Sequence, residues 1–215
     1  MNQNKKGIFL DIIFFLAFPF LIWKVAKTHI DPYYAMLISS IPTILYTFYC
    51  LKKERQLHIT SLYILINLFA STIVDLLSGS AERMLWNNVY YQIALGFIVI
   101  GTIFIKKPLI LYFAVDIAAL QGHEREKIHS LFRDKRIYSV LQYLTLFSGI
   151  QTIAKSCLKI YFISVFGVEG YGEIRAIMTA IDWGLSICIG IGGFAWIDHK
   201  VNLVIGDSPP SLEQK

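Results

Sequence analysis

Charge is scarce in this chain: Asp, Glu, Lys and Arg make up 16% of its 215 residues, where about 25% is usual for a soluble domain. Cysteine is scarce too. Cys50, Cys157 and Cys188 are odd in number and lie in or at the edge of apolar runs, so neither a disulfide framework nor a metal cage is implied. No phosphate-cradling glycine loop, HExxH pair or nucleophile elbow is present. The segment Gly190-Ile191-Gly192-Gly193 sits inside an apolar run and is no nucleotide loop. His123, Glu124, Glu126 and His129 follow no standard ligand spacing. No nucleophile and base stand at a convincing spacing either, so the expectation is a protein that is not an enzyme, with no catalytic residue, metal or cofactor.

What is abundant is apolar sequence. Hydrophobic residues make up 55% of the chain and mean hydropathy is +0.55. The apolar runs are long enough to cross a bilayer, which needs about 20 residues per helix. The N-terminal run resembles a signal peptide in having Lys5 and Lys6 before it. It contains Pro19 and ends in Trp23-Lys24 without a small-x-small site, so it is taken as a retained first span. The expected fold is all-α: a polytopic membrane bundle of six transmembrane helices in one domain, residues 1–205. The spans fall at about 7–25, 33–51, 57–77, 89–105, 137–165 and 171–197. The apolar run at 108–120 is too short to span and is read as an interfacial or re-entrant helix. Residues 122–136 form a charge-dense cytoplasmic loop, and 206–215 a disordered tail.

Charge chooses the orientation. With the N-terminus inside, fourteen of the twenty Lys and Arg fall in cytoplasmic segments. Four fall in the outer turns and span ends, and two lie within span five. That asymmetry predicts both termini in the cytoplasm. The net charge of +5 follows from these loops, and nucleic acid is not an expected partner. Trp23, Tyr33, Tyr34, Trp86 and Tyr90 then form an outer aromatic belt.

Span five, LQYLTLFSGIQTIAKSCLKIYFISV, is the informative stretch. Ser148, Gln151, Thr152, Lys155, Ser156 and Lys159 recur at three- and four-residue steps and form one polar stripe. An unpaired ammonium in hydrocarbon is costly, so the stripe must face protein or water. Span three carries a similar stripe of Asn67, Ser71, Asp75 and Ser78. On span six, Gly172, Arg175, Thr179, Asp182 and Ser186 share a face. Centring the tight turn between spans five and six near Val168 puts Lys155 level with Ile181, beside Asp182. Lys159 is then level with Ile177, about a turn from Glu173 or Arg175. The candidate intramembrane ionic cluster is Asp75, Gln151, Lys155, Lys159, Glu173, Arg175 and Asp182. Two readings of it stay open: a binding site for an anionic group, or an ion pair that fixes helix register with Lys159 reaching to the boundary. The glycines of span six, Gly184, Gly190, Gly192 and Gly193, are expected to bring helices close.

Several stretches carry a resemblance. They are Ile41-Pro42 with Leu45-Tyr46-Thr47, Lys52-Lys53-Glu54-Arg55, Ser78-Gly79-Ser80 with Arg83, and Lys107-Pro108-Leu109-Ile110-Leu111-Tyr112. Together, over about residues 8–118, they resemble a family of small bacterial multi-pass membrane proteins distantly related to intracellular septation protein A. The resemblance implies the bacterial inner (cell) membrane and a non-enzymatic envelope or septation-related component, and it brings no catalytic residues. Expected partners are the lipid bilayer, and a second copy of the chain or envelope proteins. The alternative is a small transporter or permease component that binds a polar or charged solute at the outer-half cluster.

Overall fold

The computed structural model describes residues 10–53 and 59–206, and every element among them is helical. A π-helical turn at Ile13–Ala17 leads into α1 (Phe18–Ala26), followed by α2 (Pro32–Lys53), α3 (Ile59–Leu77) and α4 (Ala81–Phe104). The chain continues with α5 (Leu109–Leu120), α6 (Arg125–Leu131), α7 (Lys135–Phe166) and α8 (Tyr171–Gly206). Four of these, α2, α3, α4 and α8, are long and apolar enough to cross a membrane. The sequence-derived first span is interrupted by the π-turn. The 32-residue α7 is long enough, but its polar stripe lowers its hydropathy. Lys5, Lys6, the turn through Glu54 and Arg55, the start of span three at 57 and the tail beyond 206 lie outside the described residues.

Several boundaries differ from those read in the sequence, among them the end of α8, which runs to Gly206 where span six was expected to end at about 197. Helix α4 begins at Ala81, not Val89, because Ser80 caps it. The Arg83 backbone N–H donates to Ser80 Oγ at 3.3 Å, after Gly79 has turned the chain with a positive φ of 68°. The charge-dense segment 122–136 is not all loop. It contains α6, on which Lys127 pairs with Glu124, three residues earlier at the helix N-cap, at 2.9 Å.

The chain divides into two compact units, Met1–Leu95 with Thr152–Asp182, and Gly96–Gln151 with Trp183–Lys215. In the first unit the apolar and polar faces of α3 are reversed relative to a soluble helix. Leu62, Ile66, Phe69, Ile73 and Leu76 are each at least half exposed, while Asn67, Ser71 and Asp75 on the other side are partly covered. An outward apolar stripe of that extent suits lipid. The buried centre of this unit joins Trp23, Met36, Leu85, Val89, Ile163 and Ile174. Trp23, read in the sequence as a boundary residue, is 2% exposed. A Cβ added at Gly172 would stand 2.5 Å from its Cδ1, so only glycine lets α8 settle on the indole.

The π-turn has a local cause and a local partner. Pro19 has no N–H to give to the preceding turn, and the helix widens just before it. The Thr43 hydroxyl on α2 donates to the Phe14 carbonyl within that turn at 3.1 Å. About one turn further out, Tyr46 Oη donates to Asp11 Oδ1 at 2.7 Å, which gives the carboxylate near the chain's apolar entry a partner.

In the second unit, α5 docks by Leu111 and Val115 against Phe132, Ile137 and Leu141. Its start at Pro108 leaves backbone donors to be satisfied within protein. Thr102 Oγ1 accepts from Leu109 N at 3.2 Å and Thr145 Oγ1 from Ile110 N at 3.3 Å. Asp116, 2% exposed, accepts from Arg125 Nη2 at 2.6 Å. Close helix contact in this unit rests on Gly149, where an added Cβ would meet Ile100 Cγ1 at 2.4 Å and the Gly96 carbonyl at 3.0 Å. The span-six glycines do not play the expected part. A Cβ at Gly184, Gly190 or Gly192 would meet nothing, and at Gly193 only ordinary contact with Leu144.

Candidate functional site

The first unit holds a partly open cavity of about 250 Å³, room for about eight waters at roughly 30 Å³ each. Five helices line it. α2 contributes Ser40 and Thr43, α3 Ser71, Thr72 and Asp75, and α4 Asn88 and Gln92. α7 contributes Lys159, and α8 Tyr171, Arg175, Thr179 and Asp182. The three- and four-residue spacing within each set is one helix face turned inward.

Its charged groups are held in distinct ways. Lys155 Nζ donates to Asp182 Oδ1. The Lys155 side chain is 20% exposed and that of Asp182 is 47% exposed, so the pair is half open on the carboxylate side, which faces the cavity. Lys159 donates to the side-chain oxygen of Asn88, and Gln92 Nε2 donates to the same oxygen at 3.2 Å. Arg175 is fixed by two neutral oxygens: Nη1 donates to Tyr171 Oη at 2.9 Å and Nη2 to Thr43 Oγ1 at 3.0 Å. Asp75 stands beside Asn88 and within electrostatic reach of Lys159 and Arg175, yet its buried Oδ1 has no hydrogen-bond partner.

Of the seven residues picked out in the sequence, Asp75, Lys159, Arg175 and Asp182 line this cavity, and Lys155 reaches it through Asp182. Glu173 is exposed and is not among the lining residues. Gln151 belongs to the second unit, where its Oε1 is buried without a partner. Thr43, Asn88, Gln92 and Tyr171 were missed. Asn88 and Gln92 are four apart, a helical step. The sequence reading left Asn88 just outside span four, which it began at Val89.

Among the described residues, no group of three or more His, Cys, Asp or Glu is placed to hold a metal ion. Comparison of the chain with protein-family models, with curated proteins and with solved structures finds no match.

Proposed function

We propose that this chain is a multi-pass membrane protein that binds a small polar or charged solute in the cavity of its first unit, as a small transporter or permease component. The observation that carries the reading is the state of Arg175 and Lys159. Both are ionisable groups on helices of a membrane protein, both face a cavity, and both are held by neutral oxygens. Ionisable side chains within a membrane are expensive, and those that face a cavity mark substrate or ion pathways. A pair kept only to fix register would be expected to close on itself, as Lys155 and Asp182 do. In this reading six crossings bring both termini to the cytoplasmic face of a bacterial inner membrane. The fifth is α7, tolerated because its polar stripe faces protein, and α5 lies at or dips into the cytoplasmic boundary.

Uptake and efflux measured in proteoliposomes, with Arg175→Gln beside the wild type, test the reading. Flux of at least one polar solute that depends on Arg175 supports it. Absence of flux and of solute binding across a broad panel refutes it.

A non-enzymatic envelope or septation-related role is the second reading. It draws on the family resemblance and on the exposed basic segment around α6, where Arg125, Lys127 and Arg133 face outward. A cell-division phenotype reversed by the Arg175→Gln chain, and lost when the exposed charges of α6 are neutralised, would favour it over transport.

A further inference from the structure

The groups around the cavity are unequally satisfied. Setting aside Lys155 and Asp182, which neutralise one another, two cations, Lys159 and Arg175, remain against one carboxylate, Asp75. Among the described residues neither cation has a carboxylate within ion-pair distance. A guanidinium has five N–H donors and an ammonium three. Two of the five on Arg175 are used, and one of the three on Lys159. The site therefore holds an excess of one positive charge, several unspent donors, and one orphaned acceptor at Asp75 Oδ1.

We infer that the cavity takes a small carboxylate that also carries a hydrogen-bond donor, an amino or hydroxy acid, with its carboxylate on Arg175 and Lys159 and its donor on Asp75. The inference rests on the cavity being a solute site, as proposed above. Each alternative class fails on one of the groups. A cation meets two positive charges. A neutral polyol brings no anionic oxygen to either cation, so neither finds a charge-assisted partner. A dianionic phosphate overshoots the charge and is pressed against Asp75. A plain carboxylate balances the charge but leaves the Asp75 oxygen buried without a donor, which is costly. Arg175 suits the task because its planar fork matches a carboxylate, and Tyr171 and Thr43 already hold that fork in place. The cavity's volume of about 250 Å³ suits a small acid, lying just below the range of about 300–1,000 Å³ in which drug-sized ligands bind.

The test is ligand-dependent thermal unfolding and titration of the full chain in detergent with four matched probes: L-alanine, L-lactate, propionate and isopropylamine. Alanine or lactate is expected to bind at least tenfold more tightly than propionate, and isopropylamine not to bind. Asp75→Ala, which removes the acceptor oxygen, should erase the tenfold preference over propionate. Arg175→Gln should abolish binding of both acids. If Arg175→Gln does not fold, Arg175→Lys keeps the charge without the fork. It should weaken lactate binding about tenfold while isopropylamine stays excluded.

Equal binding of alanine, lactate and propionate to the wild type overturns the role of Asp75. Binding of isopropylamine, or of inorganic phosphate alone, overturns the ligand class. Binding of a neutral sugar that Arg175→Gln abolishes leaves the solute site standing and removes this inference, whereas no binding by any probe or sugar removes both. A serine-lipid headgroup carries the same two groups. Alanine binding that is lost in phosphatidylserine nanodiscs and kept in phosphatidylcholine ones identifies that headgroup as the occupant and supports the class.

Discussion

Removing Asp182 should cost more than removing Lys155, and removing both should cost less than the two losses together. The asymmetry follows from their surroundings. Lys155→Met leaves a carboxylate that is about half exposed to a polar cavity and within electrostatic reach of Lys159. Asp182→Leu leaves an ammonium whose side chain is four-fifths buried. An exposed pair is worth less than about 1 kcal/mol, while breaking a fully buried one costs about 3–5 kcal/mol. This pair lies between those limits. We expect a loss of about 1.5 kcal/mol for Lys155→Met and about 2.5 kcal/mol for Asp182→Leu. The double variant should lose about 2 kcal/mol, which leaves a coupling of about 2 kcal/mol. At roughly 2–4 °C per kcal/mol for a chain of this size, Asp182→Leu lowers the unfolding midpoint by about 5–10 °C. Thermal unfolding of the three variants and the wild type in one detergent measures all four corners. Losses that simply add would refute the pairing, and a larger loss for Lys155→Met would refute the account of which charge is left stranded.

Gly149→Ala should destabilise by about 1–3 kcal/mol, because the Gly96 carbonyl cannot move aside as a side chain can, while Gly184→Ala should be neutral; parallel melts of the two compare them directly. Thr145→Val leaves the Ile110 N–H without its acceptor and should cost about 1–3 kcal/mol. Faster amide exchange at the start of α5 would show that the loss is local. A reporter fused after Lys215 should be active only in its cytoplasmic form, and activity of the external form would overturn the proposed orientation.

How much of this was legible beforehand depended on what periodicity encodes. A repeat of three and four residues assigns side chains to a face, and it separated the polar faces of α3, α7 and α8 from their apolar ones. A short connection then fixes neighbours, so the turn after Phe166 was enough to set Lys155 beside Asp182. Periodicity does not say which third helix closes against a face. Nothing in the sequence pointed Arg175 at Thr43, because Ser40 and Thr43 look like the many hydroxyl residues that bond back to their own helix, as Ser40 does to Leu37. Glu173 shows the opposite failure. It lies one residue from a buried position and two from Arg175, but a step of two on a helix crosses to the other side. The glycines at 184–193 of α8 misled for a related reason: smallness permits close approach without requiring it, and among the described residues it is Gly149, Gly170 and Gly172 that a neighbour presses upon.

The π-turn at Ile13–Ala17 has a mechanical meaning. Such a turn carries one residue more than an α-helical turn of the same height, and each α-helical residue advances the chain by about 100° about the axis. The wide turn is therefore a stored rotation. Thr43 touches it at the Phe14 carbonyl while receiving the Arg175 guanidinium on the same oxygen, so one hydroxyl joins the cavity to the wound segment. Tightening that turn to α geometry would swing everything before it by about 100° and carry Asp11 away from Tyr46. The hydrogen bond between Asp11 and Tyr46 thus reports, from beyond the far side of the π-turn, how the turn beside the cavity is wound.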